Sequence, residues 1–223
     1  MNKYEIVKRI EEFAPLETQE AWDASGWIVE SSEAEVNKVM FALTVTPKVF
    51  AQAYRQQCDM IICHHPLFFV PYNYRKINIY CAHTNFDKAH GGTTDALISS
   101  LHMCGRAVND FVRIVELESE MSVEFMKLKL LPVSPHLRVV NNNDVKTIKT
   151  IGFCAGSGSE FVADTPCDAF VTGDVKYHLA AEADKVIYDI GHFESEVFSK
   201  EVLKEISGVG DKGVMADEES PFN

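Results

Sequence analysis

The sequence predicts an α/β protein built as two similar lobes with mixed sheets. Three observations carry that expectation: short β-branched and apolar runs alternate with amphipathic stretches, the two halves share a weak repeat, and histidine-bearing or polar turns follow the apolar runs.

Ile6, Ile10 and Phe13 recur at helical spacing until Pro15 stops the pattern, which predicts an N-terminal amphipathic helix. A loop with Trp22, Asp23, Gly26 and Trp27 follows. Val39 to Val45 reads as a strand, and after Pro47 the residues Val49, Phe50 and Ala53 share one helical face. Met60 to Cys63 and Ile77 to Ala82 are short buried strands. A helix is expected between His90 and Met103, where Ala96, Leu97 and Leu101 form a stripe after a Gly-Gly start. Val123, Phe125, Met126 and Leu130 predict a helix ending at Pro132, and Leu137 to Val140 a strand before the polar stretch Asn141 to Asp144. Thr150 to Cys154 and Val186 to Ile190 are further strands.

The repeat links the halves. Cys58-Asp59-Met60-Ile61-Ile62 resembles Cys167-Asp168-Ala169-Phe170-Val171, Ile79-Tyr80 with His83 resembles Ile187-Tyr188 with His192, and Val49-Phe50 resembles Glu160-Phe161, all at a nearly constant spacing. The expected lobes are 1–140, with most of the candidate ligands, and 141–223, with a site in the cleft where equivalent strand ends face one another.

Composition narrows the function. A chain of 223 residues with 46% hydrophobic content can build a real core. No apolar run approaches the roughly 18–20 residues a membrane span needs, and Met1 to Glu12 lacks a signal-peptide core, so a cytoplasmic protein is expected. A net charge of −12 without a basic patch argues against duplex nucleic acid. The six cysteines form no CxxC pair and sit mainly in apolar runs, as reduced structural thiols do.

The residues that could carry chemistry gather where strands end. His64 and His65 follow Met60 to Cys63, Asp87 closes the segment His83-Thr84-Asn85-Phe86-Asp87, and His192 and Glu196 stand four apart on the first turn of an expected helix after Gly191. Each alone has a bland reading as a solvated turn or surface pair. Together, three imidazoles and two carboxylates suit zinc, iron, manganese, cobalt or nickel, and so few ligands for two divalent transition-metal ions leave positions for water and substrate. Such a pair can activate a water as hydroxide. Asp174 and His178 admit two readings: partners that orient ligands or move protons as catalytic acid and base, or a helix cap and a surface histidine. Gly156-Ser157-Gly158-Ser159 could open a helix and hold a phosphate, or be only a turn. Gly152-Phe153-Cys154-Ala155-Gly156 has nucleophile-elbow spacing with cysteine in place of serine, or Cys154 packs as a strand residue.

Four motifs in this order and spacing, His64-His65-Pro66, His83-Thr84-Asn85-Phe86-Asp87, Thr172-Gly173-Asp174-Val175-Lys176-Tyr177-His178 and Gly191-His192-Phe193-Glu194-Ser195-Glu196, resemble the Nif-three-like family of dinuclear metal proteins, whose members are often called GTP cyclohydrolase I type II homologues. The likeness runs from Trp22-Asp23 to Pro221. It implies two α/β lobes, a metal pair held by His64, His65, Asp87, His192 and Glu196 with Glu196 as the bridge, a homohexameric ring, and a small-molecule substrate such as a purine nucleotide. The alternative it leaves open is a non-catalytic metal-binding scaffold or regulatory protein. Three departures bear on substrate: Thr44 stands where the family commonly has an aspartate, Ala24 where it has an asparagine after Trp-Asp, and the stretch from Pro66 to Ile77 is short.

Overall fold

A computed structural model describes residues 1–222. The chain opens with α1 (Lys3–Phe13), β1 (Gly26–Val29), β2 (Val39–Ala42), α2 (Pro47–Arg55), β3 (Met60–Cys63), β4 (Asn78–Cys81) and α3 (Thr84–Lys88). It continues through α4 (Thr93–Ser100), β5 (Arg106–Ala107), β6 (Arg113–Ser122), α5 (Val123–Leu130), β7 (Arg138–Val140), β8 (Thr147–Phe153), β9 (Ala169–Thr172), α6 (Tyr177–Glu182), β10 (Val186–Asp189) and α7 (His192–Glu196), and ends with α8 (Ser199–Ser207) and β11 (Gly213–Met215).

Two compact units result. The first comprises Met1–Gly92 with Ser199–Glu219, the second Thr93–Phe198 with the tail from Ser220. The boundary expected at Asn141 to Asp144 falls inside the second unit, where that stretch joins β7 to β8 of one sheet. Long-range pairing is the reason: β6 pairs with β8 and β7 with β10, so residues on both sides of that stretch share one sheet, while β11 lies parallel to β2, with Val214 opposite Met40, in the first sheet.

The first sheet has the order β1-β4-β3-β2-β11. Strands β4, β3, β2 and β11 are parallel, and β1 is an antiparallel edge. Parallel strands covered on both faces read as unbroken apolar runs, and β2 and β3 have every residue buried. Alternation assigns the faces. Met40, Ala42, Ile61, Cys63 and Ile79 pack with Val49, Phe50 and Ala53 of α2, whereas Phe41, Met60, Ile62 and Tyr80 pack with Ile6, Val7 and Ile10 of α1 and Leu203 of α8. Helix α1 starts at Asn2, whose side chain accepts the Tyr4 N–H at 2.9 Å. The stretch with Gly26 and Trp27, expected as loop, forms β1 and edges the Trp27 ring against Tyr80.

The second sheet has the order β5-β6-β8-β9-β10-β7. Its β8, β9 and β10 are parallel, and β7 is antiparallel to β10. The run β7-β10-β9-β8 therefore repeats β1-β4-β3-β2, one antiparallel edge followed by three parallel strands; the matches of β3 with β9 and β4 with β10 are those expected from sequence, and the matching antiparallel edges are not. Ile151, Phe153, Val171 and Tyr188 pack against α4 and α5, while Phe170 and Ile187 on the opposite face pack with Val162, Val175 and Ala183.

Phe41 is fully buried in the middle of β2. Phe41→Ala is expected to cost about 3–5 kcal/mol of stability, read as a lower urea midpoint with an unchanged slope; a loss below about 1 kcal/mol would contradict the packing described.

Candidate functional site

In the first unit the donors sit just beyond the ends of β3 and β4. His64 and His65 extend the ladder past β3, their N–H groups donating to Ala42 O at 3.2 Å and Leu43 O at 2.8 Å. His64 is fully buried, and its Nδ1 lies 2.8 Å from Ala82 O. A carbonyl only accepts, so Nδ1 carries the proton and Nε2 is the nitrogen with a lone pair. That Nε2 lies 3.4 Å from Oδ1 of Asp87. Asp87 is delivered by α3, the short helix that follows β4, where its N–H donates to His83 O at 2.9 Å. His65 Nδ1 meets Thr44 Oγ1 at 2.7 Å, so Nε2 is the atom by which His65 would bind a metal.

A third imidazole, absent from the expected ligands, joins these two. His64, His65 and His83 each bring one ring nitrogen within 4.8 Å of the others. His83 Nδ1 is held by Asp23 Oδ1 at 2.9 Å, and the Asp23 carboxylate also accepts from Thr84 N–H at 3.0 Å and from the hydroxyls of Thr84 and Ser25. Burial alone would raise the Asp23 carboxyl, but hydrogen bonds from Thr84 and His83 outweigh it and hold the group well below the usual carboxylate range. Burial and the neighbouring His64 lower the His83 imidazole against the pull of Asp23, which favours the neutral, ligating form. The departure Ala24 leaves this arrangement intact, since Ala24 contributes only its N–H, donated to Asp23 Oδ1 at 2.7 Å.

In the second unit α7 presents His192 and Glu196 on one face, with His192 Nε2 3.1 Å from Glu196 Oε2. Asp174 Oδ2 holds His192 Nδ1 at 2.7 Å. Asp174 does not cap α6, whose N-cap is Lys176. His178 is exposed on α6 and, among the described residues, has no hydrogen-bond partner; its ring meets Tyr177 edge-on. The hydrogen bond to Glu196 raises the His192 imidazole, burial opposes it, and Asp174 adds to it, leaving the group at about 9.

Glycines make room for these side chains. Gly156 has φ +67°, and a Cβ there would stand 2.3 Å from Glu196 Oε1; a Cβ on Gly173 would stand 2.7 Å from His192 N. Gly156 N–H donates to Ser195 Oγ at 2.8 Å and Gly158 N–H to Thr172 Oγ1 at 2.9 Å. These amides are therefore committed inward, and the turn opens only a single 3-10 turn, Ser159–Phe161, which does not make the phosphate cradle allowed by the sequence. Cys154 is buried with Val162 and Phe170, as a packing thiol is.

These are two sets of imidazole and carboxylate donors at the ends of parallel strands in a two-sheet α/β chain, a class that known proteins share. A family model for Duf34/NIF3 (NGG1p interacting factor 3) matches residues 1–209. A Clostridium perfringens protein named GTP cyclohydrolase 1 type 2 homolog is 31% identical over 230 aligned positions, covering 88% of this chain and 87% of that protein. Reduced HcgD from Methanocaldococcus jannaschii has the same fold with a TM-score of 0.83 at 25% identity over 98% of each chain. A Bacillus cereus protein related to NIF3 has a TM-score of 0.82 at 19% identity, over 99% of this chain and 98% of that one. The chain belongs to the Duf34/NIF3 family. Among the described residues no helix is long and apolar enough to cross a membrane.

Two outcomes follow from the second donor set. Gly156→Ala should lower stability by about 1–2 kcal/mol from its left-handed backbone alone and displace Glu196, so the His192 imidazole, followed by NMR, should fall from about 9 toward its ordinary 6.5; an unmoved titration would contradict the packing. Because folding raises this imidazole, its contribution to the stability of the metal-free chain is full below about 6.5 and lost as pH rises through about 9. Melting temperatures of wild type and His192→Gln across that window should converge with rising pH, and parallel curves would contradict the ion pairs.

Proposed function

We propose that this chain is a dinuclear metal protein in which His64, His65 and Asp87 supply one set of donors and His192 and Glu196 the other. The observation that carries the reading is His64, a fully buried imidazole with Nδ1 committed to a carbonyl and Nε2 directed at a carboxylate, the arrangement of a ligand held ready for a cation. Donors of nitrogen and oxygen, without sulfur, suit zinc, iron, manganese, cobalt or nickel. We propose two ions per chain and assembly into a homohexameric ring, as the resemblance of the four motifs implies; the donor groups of the chain support the metal part of this reading.

The reaction proposed is hydrolysis of a purine nucleotide, of the GTP cyclohydrolase kind for which relatives are named. Bound divalent ions would supply Lewis acidity and a water acidified toward neutral pH. The chain's own groups do the rest. His64 is fixed by Ala82 O, so it needs no reorganisation to meet a cation, and His83, held by Asp23, stands beside it. His192, raised to about 9, would have to give up its proton to hold a metal, while Asp174 keeps its ring oriented. Asp174, held against His192, is the group proposed to pass a proton to and from a substrate, and His178, exposed on α6, the proposed solvent-side member of that route. A cytoplasmic location agrees with this chemistry.

A second reading is favoured by Thr44. Its hydroxyl holds His65 where the family pattern commonly places a carboxylate, and an acid lost beside the ligands would leave a metal-binding scaffold without turnover. Elemental analysis of protein purified without added metal should give about two transition-metal ions per chain, with one or fewer in His65→Ala and in Glu196→Gln. Absence of metal in the wild type after reconstitution would refute the proposal. Turnover of GTP that stops on chelation supports the hydrolase, and full metal occupancy with no nucleotide consumed supports the scaffold.

A further inference from the structure

The end of the chain reaches the first donor set through a buried carboxylate. After β11, Ala216 N–H donates to Phe41 O at 2.8 Å, and Asp217 exchanges two hydrogen bonds with the buried amide of Gln52, Nε2 to Asp217 O at 2.7 Å and Asp217 N–H to Oε1 at 2.9 Å. This strap carries Glu218 inward until its side chain is 6% exposed. There its two oxygens divide the work. Oε2 accepts the Leu43 N–H at 2.9 Å and Oε1 the Thr44 N–H at 3.0 Å, while Lys200 Nζ, 3.1 Å from Oε2, balances the charge.

Leu43 and Thr44 lie just past the end of β2, where the ladder no longer supplies partners for their amides. The same two residues grip His65 twice. Leu43 O accepts the His65 N–H at 2.8 Å, and Thr44 Oγ1 meets His65 Nδ1 at 2.7 Å. A carboxylate that fixes the backbone of 43 and 44 thereby fixes both the main chain and the ring of His65. We infer that Glu218, anchored by Lys200, is a positioning residue that sets the ring orientation of His65 through Thr44, so that the C-terminal strap is a working part of the metal site.

This rests on His65 being a ligand, and the physical case is geometric. Two backbone amides point at two separate oxygens, so Glu218→Gln must turn an NH2 donor toward one of two N–H donors. An unmet buried amide is costly, and the turn would shift to relieve it. Partners behind a ligating imidazole typically govern metal affinity by about 10–100-fold.

The test uses the full chain as wild type, Thr44→Ser, Thr44→Val, Glu218→Gln and His65→Ala, with cobalt(II) as probe and melting curves as a check on folding. Cobalt affinity and the visible absorption of the bound ion are read together, and in the metal-free proteins the 15N shifts of the His65 ring report its protonated nitrogen. Thr44→Ser should match the wild type. Thr44→Val and Glu218→Gln should remain folded, bind cobalt about 10–100-fold more weakly, alter its absorption, and move the His65 ring shifts. Wild-type affinity, absorption and ring shifts in both variants, with cobalt lost in His65→Ala, would overturn the positioning role while leaving the metal reading intact. Failure of the wild type to take up cobalt would overturn the metal reading and the strap's role in it, and ring shifts unmoved in Glu218→Gln would separately overturn its hold on His65.

Discussion

A buried imidazole whose proton is committed to a backbone carbonyl has one nitrogen left to offer, and the rest of this structure depends on that constraint at His64. Its Nδ1 reaches Ala82 O only because β3 and β4 run parallel and in register, Cys63 opposite Cys81, so that the residues just past each strand end come side by side. A slip by one residue would send His64 to the other face of the sheet. The apolar layers on both sides of the sheet prevent that slip: Ile61 and Ile79 lock one face against α2, and Ile62 and Tyr80 lock the other against α1. Packing energy thus holds a polar side chain in a place where water cannot solvate it.

The same architecture occurs twice with different chemistry at the strand ends. In the first unit an imidazole cluster is steadied by neutral or buried partners: Ala82 O, Thr44 and the carboxylate of Asp23. The second unit offers a single imidazole between two carboxylates, Asp174 and Glu196, which raises it toward the charged form. His83 is biased toward its neutral form and His192 toward its protonated one. Metal uptake at the second set should therefore release a proton from His192.

Much of this was legible in the sequence because it is local. Short buried strands, their bounding turns and the i, i+4 pair His192 and Glu196 announce themselves by period and composition, and the correspondence of β3 and β4 with β9 and β10 follows from matching strand sequences. What was not legible depends on distant partners. His83 reads as a turn residue until Asp23, far earlier in the chain, is found against its ring; the Trp22-Asp23 loop was the available signal. Strand β6 has a local signal, the alternation of Val115, Leu117 and Met121 with Glu116, Glu118 and Glu120, but its partner β8 lies distant in the chain. Gly156 suggested a phosphate turn, yet it serves the close approach of Glu196, a steric requirement invisible without coordinates. The return of α8 and β11 to the first sheet depends on β2, and no local pattern foretells it.

The most direct measurement is a crystal structure of protein prepared without added metal, with diffraction recorded on both sides of the absorption edge of whichever ion elemental analysis finds. The account predicts anomalous peaks at the two donor sets, one within bonding distance of His64 Nε2 and one within bonding distance of His192 or Glu196. Peaks remote from His64 and His192, or none in crystals of reconstituted protein, would contradict it.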